Sequence, residues 1–185
     1  MRFVACAEIL VCWVVWWYPF LFRAPHFQRR PSITAAAPSR IGLALETAAL
    51  ILAAVFHVSY DAPINPLQAI AAMIPGPLAI ILGWTAVVHL GRQFRIQAGL
   101  YEDHQLVCTG PYSIVRHPIY GSMLAMLVAM LLAMTKPWWI PICLALYVAG
   151  TEIRVYTEDR LLASRFPEQF AEYRNKVPAY VPFVR

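Results

Sequence analysis

Between positions 97 and 121 the chain reads QAGLYEDHQLVCTGPYSIVRHPIYG, placing His104, His117, Arg116, two adjacent acids and a Gly110-Pro111 turn between two apolar regions. A mere connector needs no such chemistry. Arg116-His117-Pro118 opens an apolar run: proline is suited to a first helical turn, whose unpaired N–H groups form a seat for an anion such as a carboxylate. Upstream, Gly110-Pro111-Tyr112 signals a tight turn that carries a tyrosine hydroxyl and the backbone of residues 104–107 toward the same place. A second cluster, RVYTEDRLL at 154–162, directly follows the last apolar run. Arg154 and Glu158 are four apart there and share one helical face. They suit a plain interfacial ion pair, or a site in which Glu158 faces a cation and Arg154 an anion.

The elements that must position these clusters are set by composition. Of 185 residues, 60% are hydrophobic and 14% charged, and the mean hydropathy is +0.57, far from the balance of soluble domains. The apolar residues fall in blocks of near-bilayer length at 3–22, 41–58, 67–90, 119–135 and 138–153. This predicts a single all-α integral membrane domain over 1–185, with three transmembrane helices in 1–90 and a functional core in 91–185. The first block is long enough to span, and no small-residue cleavage site follows it. Pro75-Gly76-Pro77 should break or restart the third helix.

The last two blocks, joined by Lys136-Pro137, read as a helical hairpin of short arms, and 154–185 reads as a soluble or interfacial tail. Glu46 lies inside the second block, within two turns of a basic loop, and reads as a snorkelling or paired structural acid. His57 and His89 read as structural.

Arginines mark the loop at 23–40 (Arg23, Arg29, Arg30, Arg40), the polar segment (Arg92, Arg95, Arg116) and the tail, whereas the two alternate connections carry Asp61 and Lys136. With five crossings, the strongly basic connections fall on one side, so the N-terminus is expected outside and the tail and polar segment in the cytoplasm. Cys6, Cys12, Cys108 and Cys143 show neither zinc spacing nor a disulfide framework. The net charge of +5 flanks apolar blocks, as lipid anchoring requires, and forms no nucleic-acid stripe. Neither a metal nor a nucleic-acid partner is expected.

Two motifs taken together, H-x-L-V-x-x-G-P-Y-x-x-x-R-H-P-x-Y and then R-x-x-x-E-[ED]-x-x-L-x-x-x-F-x-x-x-[FY]-x-x-Y-x-x-x-V-P, resemble the isoprenylcysteine carboxyl methyltransferase family. The wider group includes phospholipid methyltransferases, and the resemblance covers about residues 91–184. It implies S-adenosylmethionine as donor, in a cytoplasmic pocket made by the end of the hairpin and the tail. It further implies cofactor contacts from Gln97, His104, Gln105, Leu106, Val107, Tyr112, His117, Pro118, Ile119 and Tyr120, with Glu158 as the acid for the cofactor's amino group. Arg154 falls where the family places the arginine for the substrate carboxylate. Asp159 stands where a second glutamate is usual, and Pro167 where glycine often follows phenylalanine.

The acceptor so implied is a lipophilic carboxylate such as an isoprenylcysteine, arriving from the bilayer. A lipid or small-amine N-methyltransferase is the first rival, disfavoured because an amine has no evident use for Arg154. A sterol-type reductase holding a nicotinamide cofactor is the second, with Arg92 and Arg95 as its phosphate-binding residues. A membrane scaffold or transporter subunit is the non-enzymatic alternative.

Overall fold

A backbone in hydrocarbon must satisfy its own N–H and C=O groups, and a helix does so segment by segment. In the computed structural model, which describes residues 1–23, 32–34, 36–94, 98–101 and 104–182, the apolar blocks are accordingly helical. Helix α1 spans Arg2–Tyr18 and continues as a π-helical turn, Pro19–Arg23. Helix α2 is Ala36–Val55. The third crossing is made of α3, Pro66–Met73, and α4, Pro75–Leu90, broken at the expected proline pair because Pro75 lacks the N–H that would continue α3. Helices α5, Pro118–Ala133, and α6, Ile140–Arg165, follow, and α7 is Pro167–Lys176. Among the described residues four crossings are long and apolar enough to traverse a bilayer, and α5 is a shorter fifth.

At 16 residues α5 rises about 24 Å, less than a hydrocarbon core of about 30 Å. Its position accounts for this. No residue of α5 is exposed, whereas α1, α2, α3 and α4 turn large apolar side chains such as Leu10, Ile51, Leu67 and Ile81 outward. The short helix is the core, sheathed by the others.

Two expectations are revised. The last helix does not stop at residue 153 but runs 26 residues to Arg165, so Arg154 to Leu162 belongs to α6 and not to a tail. The sequence keeps helical spacing across the boundary, and the polar side chains of this stretch find partners inside the protein. The two hairpin arms are consecutive, as expected, yet α6 packs chiefly along α2, while α5 packs against α4 and α3. Small residues permit the α2–α6 approach: a Cβ on Gly150 would stand 2.6 Å from the Gly42 carbonyl oxygen.

At one end of the bundle the Arg2 guanidinium donates to the carbonyls of Ala62, Pro63 and Ala133, tying the N-terminus to the α2–α3 and α5–α6 connections. At the other end β1, Ser32–Thr34, pairs antiparallel with β2, Gly99–Tyr101, with Ile33 opposite Leu100. That pairing draws the loop after α1 onto the polar segment before α5. Arg40, Arg92, Arg116 and the tail share this second end, as the charge pattern required; Arg29, Arg30, Arg95 and Arg185 lie outside the described residues.

Gly150→Ala should lower the detergent thermal midpoint by the equivalent of about 1–3 kcal/mol, because backbone atoms of α2 would have to retreat from the new methyl group. Thermal unfolding followed by size-exclusion chromatography measures this, and an unchanged midpoint would show that the helices can separate at no cost.

Candidate functional site

Proline at the start of α5 leaves the preceding backbone free of the helix, and Arg116 and His117 use that freedom to bind the tail. Their N–H groups donate to the carbonyls of Pro178 and Ala179 at 2.8 and 2.7 Å, and Arg116 Nη1 also donates to the Val177 carbonyl. The tail is thereby strapped over the first turn of α5, with Ala179 packed on Tyr120 and Val155. Tyr173 on α7 donates its hydroxyl to the Tyr112 carbonyl at 2.5 Å. Tail, turn and helix close on one another around a cavity.

The cavity is open at one mouth, and about 860 Å³ of space lies within it and that mouth. Its wall brings together nearly all the residues singled out in the sequence. His104, Gln105, Leu106 and Val107 line it from the segment after β2; Tyr112, His117, Ile119 and Tyr120 from the turn and start of α5; Arg154 and Glu158 from α6. Pro118 is buried behind this wall and does not line it. Gln97 lies outside the described residues. Not foreseen from the sequence as lining residues are Leu90 at the end of α4, Gln93 in the turn after it, Leu100 on β2, and Leu161, Leu162 and Tyr173. For Tyr173 a signal existed, since it is a fixed position of the second motif; for Leu90 and Gln93 there was none.

The charges are paired in layers. Glu158 accepts a hydrogen bond from the Tyr120 hydroxyl and stands 3.2 Å from His117 Nδ1. Asp159 sits 2.9 Å from His117 Nε2 and 3.0 Å from Arg116 Nη2. Asp159, where a second glutamate is usual, thus holds the far nitrogen of a cavity residue. Deeper in the bundle, Arg154 Nη1 lies 2.6 Å from Glu46 Oε2, with the guanidinium carbon 4.6 Å from the centre of the Tyr120 ring. Thr151 donates to the other oxygen of Glu46 at 2.9 Å. Glu46 is thus paired rather than snorkelling, and its partner is the arginine of the site.

Burial alone would push the His117 imidazole down, but hydrogen bonds to Asp159 and Glu158 and the charge of both acids outweigh it and raise the imidazole from 6.5 to about 9. At neutral pH it is an imidazolium bridging two carboxylates. Burial drives the phenols of Tyr112 and Tyr173 far above their ordinary value, so both remain neutral donors. Among the described residues, no three His, Cys, Asp or Glu side chains stand together as a metal site would require.

Fold and cavity together define a class: a helical membrane protein whose polar pocket is closed at one end of the bundle by its own C-terminal segment. Residues 72–164 match the isoprenylcysteine carboxyl methyltransferase family, and the chain belongs to that family. A nickel-cobalt-cadmium resistance protein of Alcaligenes xylosoxydans xylosoxydans is 31% identical over 168 residues, 83% of this chain and 72% of that protein. A cobalt-zinc-cadmium resistance protein of Cupriavidus metallidurans is 41% identical over 111 residues, 57% of this chain and 50% of that one. Protein-S-isoprenylcysteine O-methyltransferase B of Arabidopsis thaliana is 34% identical over 110 residues, 58% of this chain and 55% of that enzyme. The chain therefore spans about half the length of the latter two.

Because the folded imidazole binds its proton more tightly than the unfolded one, its contribution to stability is complete below about pH 6.5 and is lost as pH rises through about 9. The shift corresponds to roughly 3 kcal/mol at most. Thermal midpoints in detergent should fall between pH 6.5 and 9.5, and Asp159→Asn should flatten that fall by removing one acid from His117. An Asp159→Asn profile as steep as the wild type would refute the assignment.

Proposed function

We propose that this protein transfers the methyl group of S-adenosylmethionine to a lipophilic acceptor whose nucleophile is a carboxylate, of the isoprenylcysteine kind. One observation carries the reading: Arg154 and Glu158, one turn apart on α6, open into a single cavity with His104, Gln105, Leu106 and Val107. A cation and an anion can be held there side by side. The names of relatives such as the Arabidopsis methyltransferase support the same chemistry.

The lining suits the cofactor. Glu158 supplies a carboxylate for an amino group, Tyr112 and Tyr173 supply aromatic faces, and Leu106, Val107 and Ile119 supply apolar surface for a nucleobase. When bound, S-adenosylmethionine supplies a methyl group on a positively charged sulfur. Transfer to a carboxylate neutralises charge, so the protein need not stabilise new charge, and positioning dominates. Arg154 would align the carboxylate through its fork of N–H donors. No general base is required, since a carboxylate is already ionised at neutral pH. Leu90, Leu100, Leu161 and Leu162 offer an apolar wall for a lipid chain arriving from the bilayer. The site end of the bundle faces the cytoplasm in this reading, because the arginine-rich connections lie there.

One observation favours N-methylation of a lipid amine as a second reading. Arg154 is already balanced by Glu46, so the wall presents less positive charge to an amine than Arg154 alone would.

Calorimetry on the detergent-purified protein should register S-adenosylmethionine binding to wild type, weakened at least tenfold in Glu158→Gln and nearly unchanged in Arg154→Ala. Wild type should methylate a farnesylated cysteine acid and Arg154→Ala should not. Binding of a nicotinamide cofactor in place of S-adenosylmethionine would sink the methyltransferase reading. Turnover of phosphatidylethanolamine but not of the acid would replace carboxylate with amine.

A further inference from the structure

Glu46 lies outside the family-matched residues and does not line the cavity, yet it is fully buried against Arg154, which does. Stability is a weak reason for such an arrangement, since a buried ion pair replaced by well-packed apolar side chains is often neutral or stabilising. The geometry offers a better one. A guanidinium is a rigid plane with five N–H donors, and here two contacts fix that plane: Nη1 is held by Glu46 at 2.6 Å, and the carbon end lies over Tyr120 at 4.6 Å. Glu46 is itself oriented by the Thr151 hydroxyl at 2.9 Å. Gly42 and Gly150 bring α2 close enough to α6 for a glutamate to reach, and a Cβ on Gly42 would collide with the Arg154 stem at 2.5 Å.

Resting on the carboxyl-methylation reading above, we infer that Glu46 is a positioning residue for the methyl acceptor. Together with Thr151 it holds Arg154 in the orientation that receives the acceptor carboxylate, so the acceptor side of the site is built jointly by α2 and α6. It touches neither acceptor nor cofactor and acts through Arg154. Its counter-charge keeps the guanidinium in place before the acceptor arrives, and its position behind the cavity wall keeps Glu46 itself clear of the incoming group.

Two measurements on the full chain test this. Glu46→Gln preserves shape and a neutral acceptor oxygen but replaces a charge-assisted bond with a weaker one. In nitrogen-15 spectra of the arginine side chains, the Arg154 Nε–H resonance should be sharp in wild type and broadened or shifted in Glu46→Gln; an unchanged resonance overturns the inference. Separately, binding of farnesylated cysteine acid is compared with that of its methyl ester. Wild type should prefer the acid at least tenfold, Glu46→Gln should lose most of that preference with S-adenosylmethionine affinity within twofold, and Glu46→Gln should add nothing in an Arg154→Ala background. Additive losses, or a parallel loss of cofactor affinity, would mark Glu46 as a packing residue and overturn its role. If wild type shows no preference for the acid while the resonance still responds, the carboxylate reading itself falls, and the acceptor role of Glu46 with it.

Discussion

An ionised side chain inside an apolar bundle must be met by an opposite charge, and in this protein that requirement falls on one helix. α6 carries Thr151, Arg154 and Asp159 in the interior and Glu158 half-buried at its edge. Their partners lie on three other parts of the chain: Glu46 on α2 for both Thr151 and Arg154, Tyr120 on α5 for Glu158, and Arg116 and His117 just before α5 for Asp159. Breaking a buried pair of this kind by removing one partner costs about 3–5 kcal/mol. The electrostatics of α6 therefore fix where α2 packs, where α5 begins and how the segment before it is held.

The same network shapes the cavity. Arg116 and His117, held from below by Asp159, hold the tail from above through its carbonyls, so the strap over the pocket and the acids beneath it form one connected structure. The central position of α5 follows from this as well. A helix too short for the bilayer is sheathed by the other crossings, and its N-terminal turn is spent on the site.

The sequence showed the crossings plainly, because blocks of apolar residues have few alternatives in a bilayer, and it marked the proline break between α3 and α4. It also placed most of the cavity wall, since residues 104–107, the Arg-His-Pro turn and the Arg154–Glu158 face are short-range patterns. What it did not show depends on distance along the chain. Glu46 and Arg154 are 108 residues apart, and nothing local to either names the other. The continuation of α6 to Arg165 was masked because a polar stretch after an apolar one resembles a tail until its partners are known. The β1–β2 contact was equally hidden, being three residues on each side with no alternation to betray it.

The pairing of charges bears on how a single arginine can serve both the fold and the proposed reaction. With His117 protonated, three cations, Arg116, His117 and Arg154, stand against three anions, Glu46, Glu158 and Asp159, and the site is balanced before any ligand arrives. S-adenosylmethionine, with two positive groups and one negative, would leave one positive charge in excess, and an acceptor carboxylate would cancel it. In that order the attraction for the acceptor comes largely from the cofactor, and Arg154 contributes direction more than charge. A guanidinium whose charge is already met can stay buried in the absence of ligand, which an arginine without Glu46 could do only at the cost of an uncompensated charge in a medium of low dielectric.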